Sequence, residues 1–192
     1  MALIHIQSML AKIYTDAPLR QRFLSNPYEV AAEYHLDNVE IEQILELSKN
    51  QVHNFAVSLI YKRLGEVRKK LPFTARLLGK KFSRLFLQYA KEGSLQSTKK
   101  HIKDTFNFAK YIRRMAIKEE VPVWALEVMD YELMGMKVFF SSFLISVRVF
   151  CYDVQNLVEA LLKDGDIQPK KRIRVGMWVK FFSGRKVFHR IS

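Results

Sequence analysis

The chain has 192 residues, enough for one large or two small domains and for a sizeable hydrophobic core. Hydrophobic residues make up 49% and charged residues 27%, which is typical of globular proteins and argues against extensive disorder. The formal net charge is +13, and most of it lies in residues 61–120 and 166–192. Such basic blocks indicate a nucleic acid or an acidic peptide or protein as partner, unless they only form a solvated face.

Helical spacing of apolar residues dominates up to about residue 135. Several short helices are predicted first, one of them beginning at Asn26-Pro27. A longer helix is predicted from about residue 48 to 71, where Pro72 ends it. Further helices are predicted to begin near Thr74, near Ser97 or Thr98, and at Val121-Pro122.

The pattern changes near Met136, where aromatic and β-branched residues predict strands. A short helix is predicted over 153–162 and an alternating strand over 172–182. Ser183-Gly184 predicts a hairpin turn before a last strand at 187–191. We therefore predict an α+β fold, with a helical domain over 1–135 and a small antiparallel sheet module over 136–192.

The predicted strand 172–182 has two different faces. Its apolar face comprises Ile173, Val175, Met177 and Val179, and its polar face comprises Arg174, Gly176, Trp178 and Lys180. An exposed Trp between two cations suggests a contact surface, unless a helix covers that face.

The sequence shows no catalytic set. The five histidines are far apart and match no metal-binding spacing. His101 and Asp104 share a helix face, which we interpret as a surface hydrogen bond rather than half of a metal or acid–base site. Cys151 ends a hydrophobic strand and is expected to be buried there rather than to act as a nucleophile. A binding or scaffolding protein without a cofactor is predicted.

Two further features concern location. No stretch approaches the ~18 consecutive apolar residues of a membrane span, and the N-terminus shows no secretory signal. The single cysteine cannot form an internal disulfide. We therefore expect a protein of the reducing cytoplasm, without membrane association.

Several motifs between residues 15 and 115 resemble a known class of proteins. They are Asn26-Pro27-Tyr28, Phe55, Tyr61-Lys62-Arg63-Leu64, Leu71-Pro72-Phe73-Thr74-Ala75-Arg76-Leu77-Leu78-Gly79, Phe82, Phe86, Tyr89, His101-Ile102, Asp104 and Phe108. This pattern is similar to the helical partner proteins of multinuclear non-heme iron oxidases, which modify cysteines of ribosomally made peptides. Within that class the chain most resembles the MbnC family of methanobactin-biosynthesis partners.

The resemblance implies a specific role. Such a partner holds no metal and forms a heterodimer with a TIM-barrel non-heme iron oxidase, which carries the iron. Its C-terminal part is similar to a peptide recognition element and captures the leader of the precursor peptide. The oxidase then converts precursor cysteines into oxazolone–thioamide groups with dioxygen.

The leader site is predicted at a sheet edge, where a peptide can add as a further strand. The last strand is short, basic and terminal, so it is the preferred edge. The predicted site residues are Arg174, Trp178, Lys180, Arg185, Lys186, Val187, Phe188, His189 and Arg190. The alternative is that these cations only solubilise the hairpin or guard its edge against aggregation.

A second hypothesis is nucleic-acid binding by the basic helices of residues 61–120, with the hairpin of residues 172–191 as a wing. Leu71-Pro72-Phe73 lacks the glycine turn of a helix-turn-helix motif, which disfavours this hypothesis. Nucleic acid is therefore not the expected partner.

Overall fold

The structure is a computed structural model that describes residues 2–92, 100–140, 145–163, 165–180 and 187–192. Its helices are α1 (Ala2–Thr15), α2 (Ala17–Ser25), α3 (Pro27–Glu33), α4 (Asn38–Leu45), α5 (Lys49–Lys70), α6 (Pro72–Leu78), α7 (Lys80–Glu92), α8 (Lys100–Met115), α9 (Val123–Phe140) and α10 (Val154–Leu162). Its strands are β1 (Ile145–Tyr152), β2 (Lys171–Lys180) and β3 (Val187–Ile191). The predicted α+β class, with an antiparallel sheet near the C-terminus, is confirmed.

The chain forms two compact units. The first comprises Met1–Glu66 and Phe86–His101, and the second comprises Val67–Leu85 and Ile102–Ser192. Within the described residues, no helix combines the length and the apolar character needed to cross a membrane. The predicted turn at Ser183-Gly184 lies outside the described residues.

The first unit is built from short capped helices. The carboxylate of Asp16 accepts a hydrogen bond from the Leu19 N–H, and Asp37 and Glu40 cap α4 reciprocally. These caps allow the helices to be short, because they satisfy N–H groups that a helix end leaves without partners. The buried core of this unit comprises Met9, Ile13, Phe23, Val30, Ala31, Leu36, Ile41, Ile44 and Val52.

In the second unit, α9 packs against β1 and β2 of the sheet and also contacts α6 and α10. The strand order is β1-β2-β3, and both neighbouring pairs are antiparallel. The buried core comprises Val128, Met134, Val138, Phe150, Val154, Leu157, Val158, Leu161 and Trp178.

The structure corrects the predicted start of the strands. Residues 136–140, where strand preference was expected to begin, form the last part of α9. Met134 and Val138 are buried four residues apart, as a helix requires. Burial on one helix face therefore outweighs the local β preference of this segment.

The two faces of the sheet are also corrected. Trp178 is 2% exposed, because α9 covers the face that it shares with Gly176. The apolar set lies on the other face, where Ile173 is 76% and Met177 is 44% exposed. Cys151, which was expected to be buried, is exposed at the end of β1. Of the two alternatives for Trp178, an exposed contact surface or a face covered by a helix, the structure shows the second.

The register between β1 and β2 shifts beside Cys151, because Arg172 and Ile173 of β2 lie opposite this single residue of β1. The N–H groups of Cys151 and Tyr152 each donate to the carboxylate of Glu127 on α9, at 2.9 Å. Bulges leave ladder groups without strand partners, and here a helix side chain accepts them. This end of β1 is therefore held by α9.

Candidate functional site

The last strand, β3, lies at one edge of the sheet. Ser192 and Val175 exchange two backbone hydrogen bonds, of 2.9 and 3.1 Å. Directly opposed residues in an antiparallel pair alternate between bonded and non-bonded pairs. With the observed register, the backbone groups of Val187, His189 and Ile191 therefore point away from β2, toward the outer edge.

A groove of about 530 Å³ lies between this edge and α10. It is lined by Tyr131, Gln155, Val158, Glu159, Leu162, His189, Arg190 and Ile191. Helix α10 stands here because its apolar face, which includes Leu157 and Leu161, is buried in the core. Its last residue, Leu162, remains 65% exposed. The edge strand therefore faces a groove with apolar and polar walls.

His189 connects the edge strand to the interior. Its Nε2 lies 2.9 Å from the hydroxyl of Tyr131, and its ring lies nearly parallel to the Trp178 indole at 6.5 Å. Burial, and to a smaller extent the nearby Glu132, raises the pKa of Tyr131. Tyr131 is therefore expected to keep its proton near neutral pH, and its hydroxyl can donate to the imidazole.

A second groove, of about 420 Å³, lies on the other side of the Tyr131–His189 pair. Its lining includes Lys69, Lys70, Phe73, Glu132 and Trp178. The backbone N–H groups of Phe73 and Thr74 donate to the Glu132 carboxylate at 2.7 and 3.0 Å. Glu132 thus caps α6 from α9, at a helix start with no side-chain cap of its own.

Burial raises the pKa of Glu132 to about 7, against the opposing effect of its hydrogen bonds from Thr74 and Phe73. Desolvation favours the neutral carboxyl group, whereas donors favour the carboxylate. The charge state of this helix cap therefore changes close to neutral pH.

Arg174, a predicted site residue, forms a forked pair with Asp153. Its Nε and one terminal nitrogen donate to the two carboxylate oxygens at 3.1 and 2.9 Å. These bonds are the main cause of the lowered pKa of Asp153, which also caps α10 through Asn156. Arg174 therefore fixes the start of α10 relative to β2, and so one wall of the first groove.

The other predicted site residues are placed as follows. Val187 and His189 line the grooves, Arg190 lines the first groove, and Phe188 is exposed on the opposite face of the sheet. Lys180 donates to the carbonyl of Phe139 at 3.3 Å, near the end of α9. Arg185 and Lys186 lie outside the described residues.

The residues that α9 and α10 contribute to the groove were not predicted from the sequence. Tyr131, Gln155, Glu159 and Leu162 look like ordinary helix residues in the sequence. The available signal was the short helix between two strands of one sheet, because its surface must lie against that sheet or its edge.

No group of three or more His, Cys, Asp or Glu in the described ranges could hold a metal ion. Comparisons with protein-family models, with curated proteins and with solved structures found no match to this chain.

Proposed function

We propose that the chain is a non-catalytic partner subunit that binds an iron-dependent, peptide-modifying oxidase and captures the leader of its precursor peptide. The precursor is of the methanobactin type, and the oxidase supplies the iron and the chemistry. The observation that supports this most is the β3 edge, whose backbone groups face a groove beside α10. A strand-adding peptide is recognised at a site of this kind.

The edge offers a defined set of hydrogen bonds. An added peptide strand pairs with the outward backbone groups of Val187, His189 and Ile191, which repeat at every second residue. Its side chains alternate between the two faces of the sheet. One set enters the groove beside α10, where Val158 and Leu162 favour apolar side chains. The other set continues the exposed face beside Phe188 and Arg190.

Charge gives the peptide site a preference. Residues 166–192 contain eight basic residues and one acidic residue. Arg174 pairs with Asp153 and so is engaged within the fold, whereas Arg190 lies on the edge strand itself. We therefore expect Arg190 to favour an acidic leader side chain, with a contribution that salt screens.

The test compares His189→Pro with His189→Ala. Both variants remove the imidazole, but only proline removes the edge-facing N–H, and proline is tolerated on an edge strand. The probe is the fluorescently labelled leader of the precursor encoded in the same gene cluster, and anisotropy measures its affinity. We expect His189→Pro to bind at least tenfold more weakly than His189→Ala, with both retaining the wild-type far-UV circular dichroism.

Equal affinity of the two variants would place the leader elsewhere. Co-expression of the wild-type chain with the oxidase of that cluster tests the other half of the proposal. We expect a stable complex of one copy of each, and a chain that never co-purifies with the oxidase contradicts the partner role.

A further inference from the structure

The two grooves lie along the same edge strand, β3, and they divide its residues between them. Val187 lines the second groove and Ile191 lines the first, whereas His189 lines both. These three residues lie on the face of the sheet that α9 covers, because they alternate along the strand and His189 pairs with the buried Trp178. The edge therefore passes two recesses, whose strand residues are four positions apart.

The Tyr131–His189 pair separates the two grooves. Tyr131 lines both of them, and its hydroxyl lies 2.9 Å from Nε2 of the imidazole. The imidazole also lies nearly parallel to the Trp178 indole, at a ring distance of 6.5 Å. A side chain placed opposite His189 therefore meets this packed pair, whereas side chains opposite Val187 and Ile191 meet a groove.

An added strand converts this division into a sequence pattern. Antiparallel addition is expected, because β2 pairs with β3 in this way and parallel pairing is slightly less stable. Directly opposed residues then place their side chains on the same face of the sheet. The peptide residues opposite Ile191, His189 and Val187 follow one another at every second position, in that order from the peptide N-terminus. The first and the third of them are about 13 Å apart.

The first groove fits an aliphatic side chain. Val158, which is buried, and Leu162, which is exposed, form its apolar lining on α10. Gln155 and Glu159 also line it, and the amide of Gln155 donates to the Glu159 carboxylate at 3.1 Å. An aliphatic side chain packed against Leu162 removes apolar surface of both partners from water, which is favourable.

The second groove fits an aromatic side chain. Phe73, Phe139 and Trp178 line it, and aromatic rings gain from packing edge to face or offset against one another. Gly135 also lines it and has no side chain to cover the indole nitrogen, which a Cβ atom there would meet at 3.8 Å. The groove therefore offers aromatic surfaces to a ring that enters from the edge.

The charged groups of the second groove also favour an uncharged ring. Lys69 and Lys70 line it at the end of α5, and cations attract the faces of aromatic rings. Glu132 lines it as well, and both of its oxygens accept hydrogen bonds from the start of α6. An acidic side chain would add like charge beside Glu132, whereas an aromatic ring adds none.

We infer that the chain recognises, in the leader, an aliphatic, a small and an aromatic residue that follow one another at every second position. The aliphatic side chain fills the first groove, the small one faces His189, and the aromatic one fills the second groove. This inference rests on the proposed function, in which the leader adds to β3. It defines the side chains by which one precursor is distinguished from other peptides that can form a strand.

The first experiment is an alanine scan of the fluorescently labelled leader, with anisotropy as the readout of its affinity for the wild-type chain. We expect two positions four apart, an aliphatic one followed by an aromatic one, each to weaken binding at least tenfold. Leucine at the position midway between them should also weaken binding, because that side chain meets the Tyr131–His189 pair. A scan without such a pair of positions, or a midway leucine that binds as tightly as alanine, overturns the inference.

The spacing is tested by inserting one threonine into the leader between the midway residue and the aromatic one. We expect this insertion to weaken binding about as much as alanine at the aromatic position, because it turns the aromatic side chain to the other face of the sheet. The same insertion directly after the aromatic residue is the matched control, and it should bind within twofold of the unmodified leader. Equal affinity of the two insertions contradicts a strand anchored in both grooves.

Variants of the chain assign each anchor to its groove. Phe139→Ala removes part of the second groove and Leu162→Ala removes part of the first, and we expect each to weaken leader binding at least fivefold. Phe140→Ala is the matched control, because Phe140 is exposed beside Phe139 and lies outside the lining. It should bind within twofold of wild type. A leader with alanine at the aromatic position should bind Phe139→Ala and wild type equally, since the contact is already lost.

The outcomes separate this inference from the proposed function. A wild-type chain that does not bind the leader, or equal binding by His189→Pro and His189→Ala, overturns the proposed site and this inference with it. Binding that is weakened by His189→Pro but survives both Phe139→Ala and Leu162→Ala overturns the inference alone, because the backbone then pairs without side-chain anchors.

Discussion

In most sheets that a helix covers on one side, the covered face is apolar and the exposed face is polar. The two faces of this sheet depart from that arrangement. The face against α9 contains Arg148, Arg174 and Gly176, yet it is the covered one. The other face, here called the outer face, is almost entirely apolar, yet it is exposed; it comprises Ile145, Val147 and Val149 of β1, Ile173, Val175 and Met177 of β2, and Phe188 of β3. The comparison shows that a covered face can be polar if each charge has a partner, and that an apolar face marks either a core or a contact.

Paired charges make the covered face possible. Arg113 and Arg148 both contact the carboxylate of Asp130, which is 3% exposed. Arg174 binds Asp153 in the same manner at the start of α10. Burying an unpaired charge costs several kcal/mol, so these acids are required wherever the arginines enter the covered face.

The largest expected effect comes from two neighbouring residues on opposite faces. Trp178→Ala removes a buried indole and leaves a cavity, so we expect a loss of about 3–5 kcal/mol in the free energy of unfolding. Met177→Ala changes an exposed side chain, and we expect a loss below about 1 kcal/mol. Urea denaturation followed by circular dichroism measures both. Similar losses for the two residues contradict the assignment of the covered face.

Trp178 and Met177 also show which features of the sheet could be predicted from the sequence. Strands were predicted from the sequence over 172–182 and 187–191, and the structure has strands at Lys171–Lys180 and Val187–Ile191, with residues 181 and 182 outside the described residues. Alternation with a period of two divides the residues of a strand between the two faces of the sheet, but it does not indicate which face is covered by the rest of the protein. That depends on α9 and on the acids Asp130 and Asp153, which are distant along the chain from the arginines they bind.

The same limit applied to the candidate site. The edge position of β3 was predicted from its short length and its place at the end of the chain. Its groove was not, because Tyr131 and Glu159 reach it only through the packing of α9 and α10. Local patterns identify strands and caps, whereas grooves arise from contacts between distant segments.

The second prediction concerns the buried carboxyl group on the covering helix. The pKa of Glu132 is raised to about 7 in the fold, from 4.5 for an unperturbed group. The fold therefore binds the proton more tightly, and stability falls as pH rises from about 4.5 through 7. Through this shift in the pKa of Glu132, the free energy of unfolding should fall by about 3 kcal/mol between pH 4 and pH 8.

Glu132→Gln should remove this part of the pH dependence. Urea denaturation of both proteins at pH 4, 6 and 8 measures it, and the difference between them isolates Glu132. Lys69, Lys70, Tyr131 and His189 line the same groove and are the same in both proteins, so their contributions cancel in this difference. Parallel stability curves for the two proteins would show that the pKa of Glu132 does not change on folding, which contradicts this prediction.

The third prediction tests how closely the covered face is packed. A Cβ atom at Gly176 meets the Trp178 ring at 2.6 Å and the Phe150 ring at 2.9 Å. Gly176→Ala therefore forces these rings to move, and we expect a loss of about 1–3 kcal/mol.

Gly135→Ala is the matched control, because its Cβ atom meets the same indole at an ordinary contact distance of 3.8 Å. Gly135 lies within α9, where alanine is the better helix former, so we expect unchanged or slightly higher stability. Thermal unfolding of both variants gives the comparison. If Gly176→Ala left the stability unchanged, the indole would not lie over this glycine.

The smallest effect on stability is expected on the outer face. Val147→Thr with Ile173→Thr replaces two exposed aliphatic side chains by polar ones that strands accept equally well. We expect the free energy of unfolding to change by less than about 0.5 kcal/mol. Because exposed apolar side chains promote aggregation, we expect the double variant nevertheless to stay soluble at a higher concentration than wild type. Light scattering over a concentration series measures this, and an exposed apolar pair elsewhere, Ile117→Thr with Val123→Thr, is the control.

Equal solubility of the two double variants would show that the outer face does not drive association of the lone chain. A gain in solubility restricted to the outer-face variant, at unchanged stability, would show that this face acts in contacts between molecules and not in folding.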